Sequence, residues 1–326
     1  MSRAWSAVLD HAARAFARAV VRTFFRERHV EGAERLEAAA EGPLLVVANH
    51  VNNLVDPLLL LASLPRAPRF LAKSTLWSHP VVGPLVRGLR SIPVYRAQDR
   101  EDVSRNALTF DRCCAALRSG SAIALFPEGR SHNEPRALPL KTGAARIALA
   151  AAAPGLRILP IGLNYERKFK FRSRVLVRVG SPIDLAPDAA DDPGRASAVR
   201  ALTARMASDL HELARGFAET APAPPTRLRP ARPEWWLLLP LALLGAALNW
   251  LPYRIPGWIS ESYTRTADEP ATYKILAALI AFPTIWTLEA ATIALRFGPI
   301  AGLAAGALAP LSGYLALVFF RRGERA

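Results

Sequence analysis

Short apolar runs alternate with amphipathic stretches between residues 28 and 185. Continuous runs such as "PLLVVA" at 43–48 and "ILPIGL" at 158–163 are typical of buried strands. Strands are predicted at 29–31, 44–48, 69–73, 92–95, 122–126, 157–163 and 174–179. Helices are predicted at 57–63, 80–89, 101–118, 141–153 and 195–216. The alternation predicts an α/β domain over 28–218, and the last two strands lie too close for a helix between them. The predicted sheet is therefore mixed, mostly parallel and flanked by helices.

The pattern changes after residue 218. "ETAPAPPTRLRPARPE" at 219–234 is dense in proline and predicts a linker. Three apolar runs follow, at 235–251, 273–295 and 299–320. A helix needs about 20 apolar residues to cross a bilayer, and the last two runs are long enough. Residues 235–326 are therefore predicted to form a transmembrane helical region with two or three spans.

Arginines flank this apolar region on both sides. They are Arg227, Arg229 and Arg232 before it, and Arg321, Arg322 and Arg325 after it. By the positive-inside rule both flanks lie in the cytoplasm, which favours an even number of spans. The sequence therefore predicts an integral protein at the cytoplasmic face of the inner cell membrane.

Residues 1–27 show apolar residues at helical spacing. These are Trp5, Val8, Leu9, Ala12, Phe16, Ala19, Val20 and Thr23. Arg14, Arg18 and Arg22 form a stripe on another face, a pattern typical of an amphipathic helix that lies on a membrane. An ordinary helix packed on the domain, with solvated arginines, fits the same pattern. No secretory signal peptide is predicted.

Charge narrows the choice of partners. The chain has 42 Lys and Arg against 27 Asp and Glu, a net charge of +15 that indicates an anionic partner. No nucleic acid is expected, because zinc-finger spacing and RNA-binding signatures are missing; a lipid membrane and phosphorylated ligands fit better. Cys113 and Cys114 are adjacent in a predicted helix, so no disulfide joins them, and the catalytic part is expected in the reducing cytoplasm.

Candidate chemistry begins in "NHVNNLVD" at 49–56, where polar residues separate two apolar runs. A purely structural interpretation makes Asp56 the N-cap of the next helix and Pro57 its first residue. His50 is then only a polar residue at a strand end.

Other strand ends carry polar and charged residues as well. "FPEGRS" at 126–131 and "IPVYR" at 92–96 each follow an apolar strand. Ligands of α/β sheets bind at the carboxyl ends of strands, and Arg has a planar fork suited to phosphate. Gly129 allows close backbone approach, and Lys141 is expected to open a helix, where free N–H groups favour anions. The candidate binding residues are Lys73, Arg96, Glu128, Gly129, Arg130 and Lys141.

Four blocks now stand in order: "NHVNNLVD", "IPVYR", "FPEGRS" and "ILPIGL". This set resembles the glycerolipid acyltransferase superfamily, whose members acylate glycerol-3-phosphate, lysophosphatidic acid and related alcohols. The resemblance covers roughly 28–218. The first block and the apolar tail look like the branch of glycerol-3-phosphate and dihydroxyacetone-phosphate acyltransferases. The resemblance implies the glycerol-phosphate acyltransferase fold and an O-acyltransferase of phospholipid biosynthesis.

The resemblance also implies roles for the residues. His50 is the general base on the acceptor hydroxyl, Asp56 holds its imidazole, and acyl-CoA or acyl-carrier protein donates the acyl group. Arg96 and Arg130 hold the acceptor phosphate, and Glu128 orients the glycerol or the loop. No covalent acyl-enzyme, metal or cofactor is expected.

One departure bears on this scheme. The segment between His50 and Asp56 is one residue longer than usual, which leaves their contact open and makes an Asn side chain the alternative partner of His50. Ser131 beside His132 does not predict a hydrolase, because no G-x-S-x-G elbow is present. The alternative functions are an acyltransferase for lysophospholipids or other lipid acceptors, and a catalytically degenerate, membrane-tethered lipid-binding protein.

Overall fold

The computed structural model describes residues 3–80, 82–96, 99, 101–134, 136–185, 196–220 and 237–320. Residues 221–234 of the predicted linker lie outside these ranges. The chain divides into two compact units. The first unit contains Met1–Ala221 with Ala267–Ala271, and the second contains Pro222–Thr266 with Thr272–Ala326.

One mixed sheet organises the first unit. Its strands are β1 (Glu27–Glu31), β2 (Leu44–Ala48), β3 (Arg69–Lys73), β4 (Ile92–Val94), β5 (Ala122–Leu125), β6 (Arg157–Tyr165), β7 (Arg174–Val179) and β8 (Ile183–Asp184). The strand order is β1-β7-β6-β2-β5-β3-β4, and β8 pairs with β6. The strands β2, β3, β4, β5 and β6 run parallel, whereas β7 and β8 pair antiparallel with β6. The predicted mixed, mostly parallel sheet is confirmed.

Helices pack on this sheet. They are α1 (Arg3–Phe24), α2 (Val55–Ser63), α3 (Val82–Gly88), α4 (Asn106–Arg118), α5 (Gly143–Ala151), α6 (Ala196–Leu213) and α7 (Phe217–Thr220). The continuous apolar run in β2 is buried at every position, as expected for a central strand of a covered parallel sheet. Cys113 and Cys114 are free thiols on α4, and both are buried.

The helix α1 has two apolar sides. Ala17, Val21 and Phe24 are buried, and α1 packs against α2. Val8 and Phe16, which belong to the predicted apolar stripe, remain 58% and 40% exposed. The stripe that packs on the domain is therefore different from the stripe that the sequence pattern indicated. That α1 lies on a membrane through its exposed apolar face stays a prediction.

The second unit is helical. Its helices are α8 (Leu239–Leu248), α9 (Trp250–Tyr263), α10 (Pro270–Phe297) and α11 (Pro299–Phe320), of which α10 starts within the first unit. The helices α10 and α11 are long and apolar enough to cross a membrane. The ten residues of α8 extend over about 15 Å, half of a typical hydrocarbon core. The first apolar run is thus divided between two shorter helices.

Small residues bring α8 and α11 together. A Cβ on Gly245 would lie 2.3 Å from the carbonyl oxygen of Ser312, so only glycine permits this approach. The Asn249 amide donates to the carbonyl of Gly245 and accepts from the indole N–H of Trp286, each at 2.9 Å. Close backbone contact with an enclosed amide is a common way to join helices in apolar surroundings.

Candidate active site

The polar residues singled out in the sequence lie at one edge of the sheet. Because β2, β3, β4 and β5 are parallel, their carboxyl ends share that edge. His50 stands two residues after β2, Glu128 three residues after β5, and Arg96 two residues after β4. Lys73 is the last residue of β3. The topology thus assembles residues that are far apart in sequence.

His50 and Asp56 are in contact. Nδ1 of His50 lies 2.8 Å from Oδ2 of Asp56, whose side chain is fully buried. The same Oδ2 accepts hydrogen bonds from the backbone N–H groups of Val51 and Asn52, at 2.8 and 2.7 Å. The question left open by the lengthened segment is thereby answered: the loop folds around the carboxylate and keeps the contact.

The predicted N-cap role of Asp56 is wrong. The helix α2 starts at Val55, and Leu54 is its N-cap residue, without a side-chain capping bond. Asp56 is therefore inside the first turn, and its carboxylate turns back to the N–H groups of the preceding loop. Asn53 adopts a positive φ of 33°, which Asn tolerates better than most residues, and this lets the chain reverse into the helix.

The asparagines of the loop do not orient His50. Asn49 is buried and bridges to β6: its Nδ2 donates to the carbonyl of Leu163 at 3.1 Å, and its Oδ1 accepts from the Leu163 N–H at 2.7 Å. The Asn52 side chain donates to the carbonyl of Lys168. The alternative of an Asn partner for His50 is therefore wrong, and these amides anchor the loop instead.

The imidazole of His50 has one defined orientation. A carboxylate oxygen can only accept hydrogen bonds. The proton of the neutral imidazole therefore lies on Nδ1, and the lone pair lies on Nε2. The ring stacks on Phe126, with centroids 4.0 Å apart and planes inclined by 13°. The side chain is 16% exposed, and within the described ranges no group forms a hydrogen bond with Nε2. Nε2 is thus available to a ligand.

Glu128 holds the backbone of His50. Its Oε1 accepts the N–H of His50 at 3.1 Å, and the residue is 4% exposed. Burial raises the pKa of Glu128 to about 7, an effect that hydrogen bonds from the N–H groups of His50 and Leu138 oppose. Of the two roles predicted for Glu128, these contacts fit the orientation of the loop.

The sequence pattern missed His132. Its backbone N–H donates to the carbonyl of His50 at 3.0 Å, and its Nε2 contacts Oε2 of Glu128. Nδ1 accepts the N–H of Glu134 at 3.1 Å, which places the ring proton on Nε2. Burial lowers the pKa of His132. Together, residues 128 and 132 fix both the N–H and the C=O of His50. In the sequence, their separation by four residues was the sign that the two side chains could pair.

Tyr165 was also missed. Its hydroxyl donates to Oδ1 of Asp56 at 2.6 Å. Removal from water, reinforced by the Asp56 carboxylate, raises the pKa of Tyr165 well above its usual range, so the hydroxyl stays a donor. Tyr165 ends β6, the strand that contains the fourth block, but nothing in the sequence indicates which strand end faces Asp56.

The candidate cations are more accessible. Arg96 is half-buried, whereas Lys73, Arg130 and Lys141 are exposed. Within the part of the chain that the structure describes, the guanidinium groups of Arg96 and Arg130 make no hydrogen bond or ion pair. The backbone N–H of Arg96 donates to Glu101 at 3.3 Å. Both guanidinium groups can therefore take up an anion without breaking an existing pair.

Gly129 and Lys141 lie side by side. Gly129 has a φ of +76°, and a Cβ built on it would lie 2.6 Å from Nζ of Lys141. The Lys141 N–H donates to the carbonyl of Pro127 at 2.8 Å. The prediction that Lys141 opens the helix is wrong by two residues, because α5 starts at Gly143. The side chain of Lys141 instead packs against the Cα of Gly129, and its ammonium group occupies the space that a Cβ there would need.

This arrangement can withdraw a proton from a hydroxyl bound near Nε2 of His50, with anion-binding groups on neighbouring strand ends. The fold and the site thus describe an α/β protein with a general-base centre. No three His, Cys, Asp or Glu side chains within the described ranges are grouped as a metal site requires. The absence of a cofactor requirement stays a prediction.

Comparison with known proteins shows what part of the chain is similar to. Residues 27–164 match the protein-family model described as Acyltransferase. This segment contains all four blocks, and the resemblance to the glycerolipid acyltransferases is confirmed for it.

Individual relatives agree with this assignment. The chain is 28% identical over 251 residues to an uncharacterized acyltransferase of Schizosaccharomyces pombe, and the match covers 50% of this chain and 37% of the relative. It is 40% identical over 82 residues to glycerol-3-phosphate O-acyltransferase 2 of Saccharomyces cerevisiae, covering 24% and 11%. It is 29% identical over 139 residues to 1-acyl-sn-glycerol-3-phosphate acyltransferase BAT2 of Brassica napus, covering 43% and 38%. The chain therefore spans less than two fifths of each of these relatives.

Proposed function

We propose that the protein is a membrane-bound O-acyltransferase of phospholipid biosynthesis. It transfers a fatty acyl group from acyl-CoA or acyl-carrier protein to a hydroxyl of glycerol-3-phosphate, dihydroxyacetone phosphate or 1-acylglycerol-3-phosphate. The observation that carries this proposal is the 2.8 Å contact between His50 and Asp56, which leaves Nε2 of His50 as a base. The names of the yeast and plant relatives support the acceptor class.

The chemistry needs one base and no covalent intermediate on the protein. Nε2 of His50 takes the proton of the acceptor hydroxyl while its oxygen attacks the thioester carbonyl carbon. The C–O bond forms, the C–S bond breaks, and the leaving thiolate receives the proton from the imidazolium. Asp56 stabilises that imidazolium through Nδ1–H and keeps the correct tautomer.

Arg96 and Arg130 hold the acceptor phosphate in this proposal. Charge-assisted hydrogen bonds contribute about 1.5–3 kcal/mol each, and neither guanidinium has a partner among the described residues. Lys73 and Lys141 are further cations on the same side of the sheet. The helices α10 and α11 anchor the protein in the inner membrane, with the site at its cytoplasmic face, where the thioester donors are found.

The test uses purified full-length protein in detergent with labelled palmitoyl-CoA. Glycerol-3-phosphate, dihydroxyacetone phosphate and 1-acylglycerol-3-phosphate are supplied separately, with a His50→Ala variant as the blank. We expect a labelled ester from at least one acceptor and none from the variant. The ester is identified by chromatography, which also shows which acylation step occurs.

Other results would redirect the proposal. Transfer only to a lysophospholipid or an aminolipid would keep the reaction and change the acceptor. No ester from any acceptor with either acyl-CoA or acyl-carrier protein, together with retained lipid binding, would favour the degenerate lipid-binding protein.

A glycine pair tests the role of Lys141. Gly129→Ala and Gly120→Ala are both expected to lower the free energy of unfolding by about 1–2 kcal/mol, because both sites have φ near +77°. Only Gly129→Ala displaces the ammonium group of Lys141, since nothing lies within 4 Å of a Cβ on Gly120. We expect the KM for the phosphorylated acceptor to rise several-fold in Gly129→Ala alone. Equal KM values in the two variants would remove Lys141 from the binding site.

A further inference from the structure

A second cluster of cations lies at the opposite edge of the sheet. A cleft of about 320 Å³ is lined by Arg69, Arg90, Ser91, Ile92, Arg112, Ala115, Ala116 and Ser119. Arg69 and Ile92 are the first residues of β3 and β4, so the cleft is at the amino ends of these strands. The strand β3 alone separates Arg69 from Lys73 at the other edge by about 13 Å. The cleft is therefore separate from the candidate active site.

The charges of the cleft are unbalanced. Three arginines face it, and the nearby carboxylate is Asp10 of α1, 3.8 Å from Arg90. Asp10 is also within electrostatic range of Arg14 and Arg69, so one carboxylate is shared among several guanidinium groups. Desolvation lowers the pKa of Arg69, and the neighbouring charge of Arg90 lowers it further. Within the described ranges, the guanidinium groups of Arg69 and Arg112 have no hydrogen-bond partner.

The wall of the cleft contains a buried hydroxyl group and a helix with small side chains. Oγ of Ser91 is buried and has no hydrogen-bond partner among the described residues. The helix α4 presents Arg112, Ala115, Ala116 and Ser119 from one side, and the alanines leave the floor open. The last turn of α4 carries the negative end of the helix dipole, about half an elementary charge, which the three arginine charges at the cleft outweigh.

Arg90 takes an unusual backbone conformation to reach this place. It has a φ of +51° two residues after the end of α3, in a helix-ending turn where glycine is the common residue. Arg at this position in place of glycine brings a guanidinium group to the cleft at the cost of an unfavourable φ.

From these observations we propose that the cleft is a binding site for a phosphate group, distinct from the acceptor site. Arg69, Arg90 and Arg112 supply the charge-assisted hydrogen bonds. The site is of a size that accommodates a phosphate or a phosphodiester head group. It adjoins α1 through Asp10, and α1 also exposes Val8 and Phe16, so an anionic phospholipid head group and free phosphate are the two sources of this chemistry.

The experiment measures the thermal stability of the full chain in phosphatidylcholine nanodiscs. A ligand that binds only the folded state raises Tm according to its concentration and Kd. Inorganic phosphate is titrated in one arm, and the same titration is repeated with one fifth phosphatidylglycerol in the disc. The test variant is Arg69→Gln with Arg112→Gln, and the pair Arg96→Gln with Arg130→Gln measures the share of the phosphate response that arises at the acceptor site. The control is Arg205→Gln with Arg215→Gln, which removes the same charge from exposed positions.

We expect the test variant to raise the apparent Kd of phosphate at least tenfold and the control to leave it near the wild-type value. If phosphatidylglycerol stabilises the wild type by itself and weakens the phosphate response, the ligand is a lipid head group. If phosphatidylglycerol leaves the phosphate Kd unchanged, the ligand is free phosphate. Both results support the site and distinguish its source.

The proposal is overturned if the test variant responds like the wild type in both arms, or if the control loses as much. Ala115→Phe provides a second variant that fills the cleft without removing charge. We expect the same loss of the phosphate response from it. A folded Ala115→Phe protein with a wild-type response would equally overturn the proposal.

Discussion

A His50→Ala variant is expected to lose about 10²- to 10⁴-fold in kcat, the range that a general base contributes. Nε2 of His50 is the accessible base of the site, since Nδ1 is held by Asp56 at 2.8 Å. KM should change little, because the imidazole acts when the acceptor proton moves and not when the substrate binds. Steady-state rates of ester formation provide the measurement.

His29→Ala is the matched control for this variant. His29 lies on β1 with 45% of its side chain exposed, so its removal should leave kcat unchanged. A folded His50→Ala protein that keeps more than a tenth of the wild-type kcat would show that another group is the base.

An Asp56→Asn variant is expected to lower kcat by about 10³- to 10⁴-fold, as loss of the orienting carboxylate does in catalytic triads. Oδ2 of Asp56 accepts from His50 and from the N–H groups of Val51 and Asn52. An amide has one oxygen in place of the two carboxylate oxygens. With the oxygen at the Oδ2 position the charge that stabilises the imidazolium is lost, and with the nitrogen there the imidazole takes the wrong tautomer. Rates are measured together with a thermal melt, to separate loss of orientation from loss of folding.

A Tyr165→Phe variant tests the roles of the two Asp56 oxygens separately. It removes the 2.6 Å bond to Oδ1 and leaves the contact of Oδ2 with His50 intact. We expect kcat to fall by less than about tenfold, because the contact that orients the imidazole is retained. The lost hydrogen bond should instead lower the free energy of unfolding. An equal loss in Tyr165→Phe and Asp56→Asn would mean that the integrity of the pocket, and not the Nδ1 contact, limits the rate.

The strands and the two long apolar helices could be predicted because each one corresponds to a single continuous run of apolar residues. A continuous apolar run such as residues 44–48 is buried on both faces, and a run such as 299–320 exceeds the thickness of a bilayer. Helix starts were less predictable. Asp56 and Lys141 both precede apolar helical residues, but the path of the preceding loop, which sequence periodicity does not describe, decided where each helix begins.

The site could be predicted only as far as its residues stand in local motifs. His50 and Asp56 occur in one block, whereas Tyr165 reaches Asp56 from the end of β6, 109 residues further along the chain. His132 was overlooked because its N–H binds the backbone carbonyl of His50, a contact that the four-residue separation from Glu128 does not by itself reveal. Contacts of this kind depend on strand order, and strand order follows from the packing of the whole sheet.

The helix α2 links the site to the folding of the domain. Seven of its nine residues are buried, and Asp56 is one of them. An element enclosed in this way exchanges its amide protons mainly when the whole domain opens, because no partial opening exposes it. We therefore expect Asp56, the residue that orients His50, to keep its place for as long as the domain stays folded.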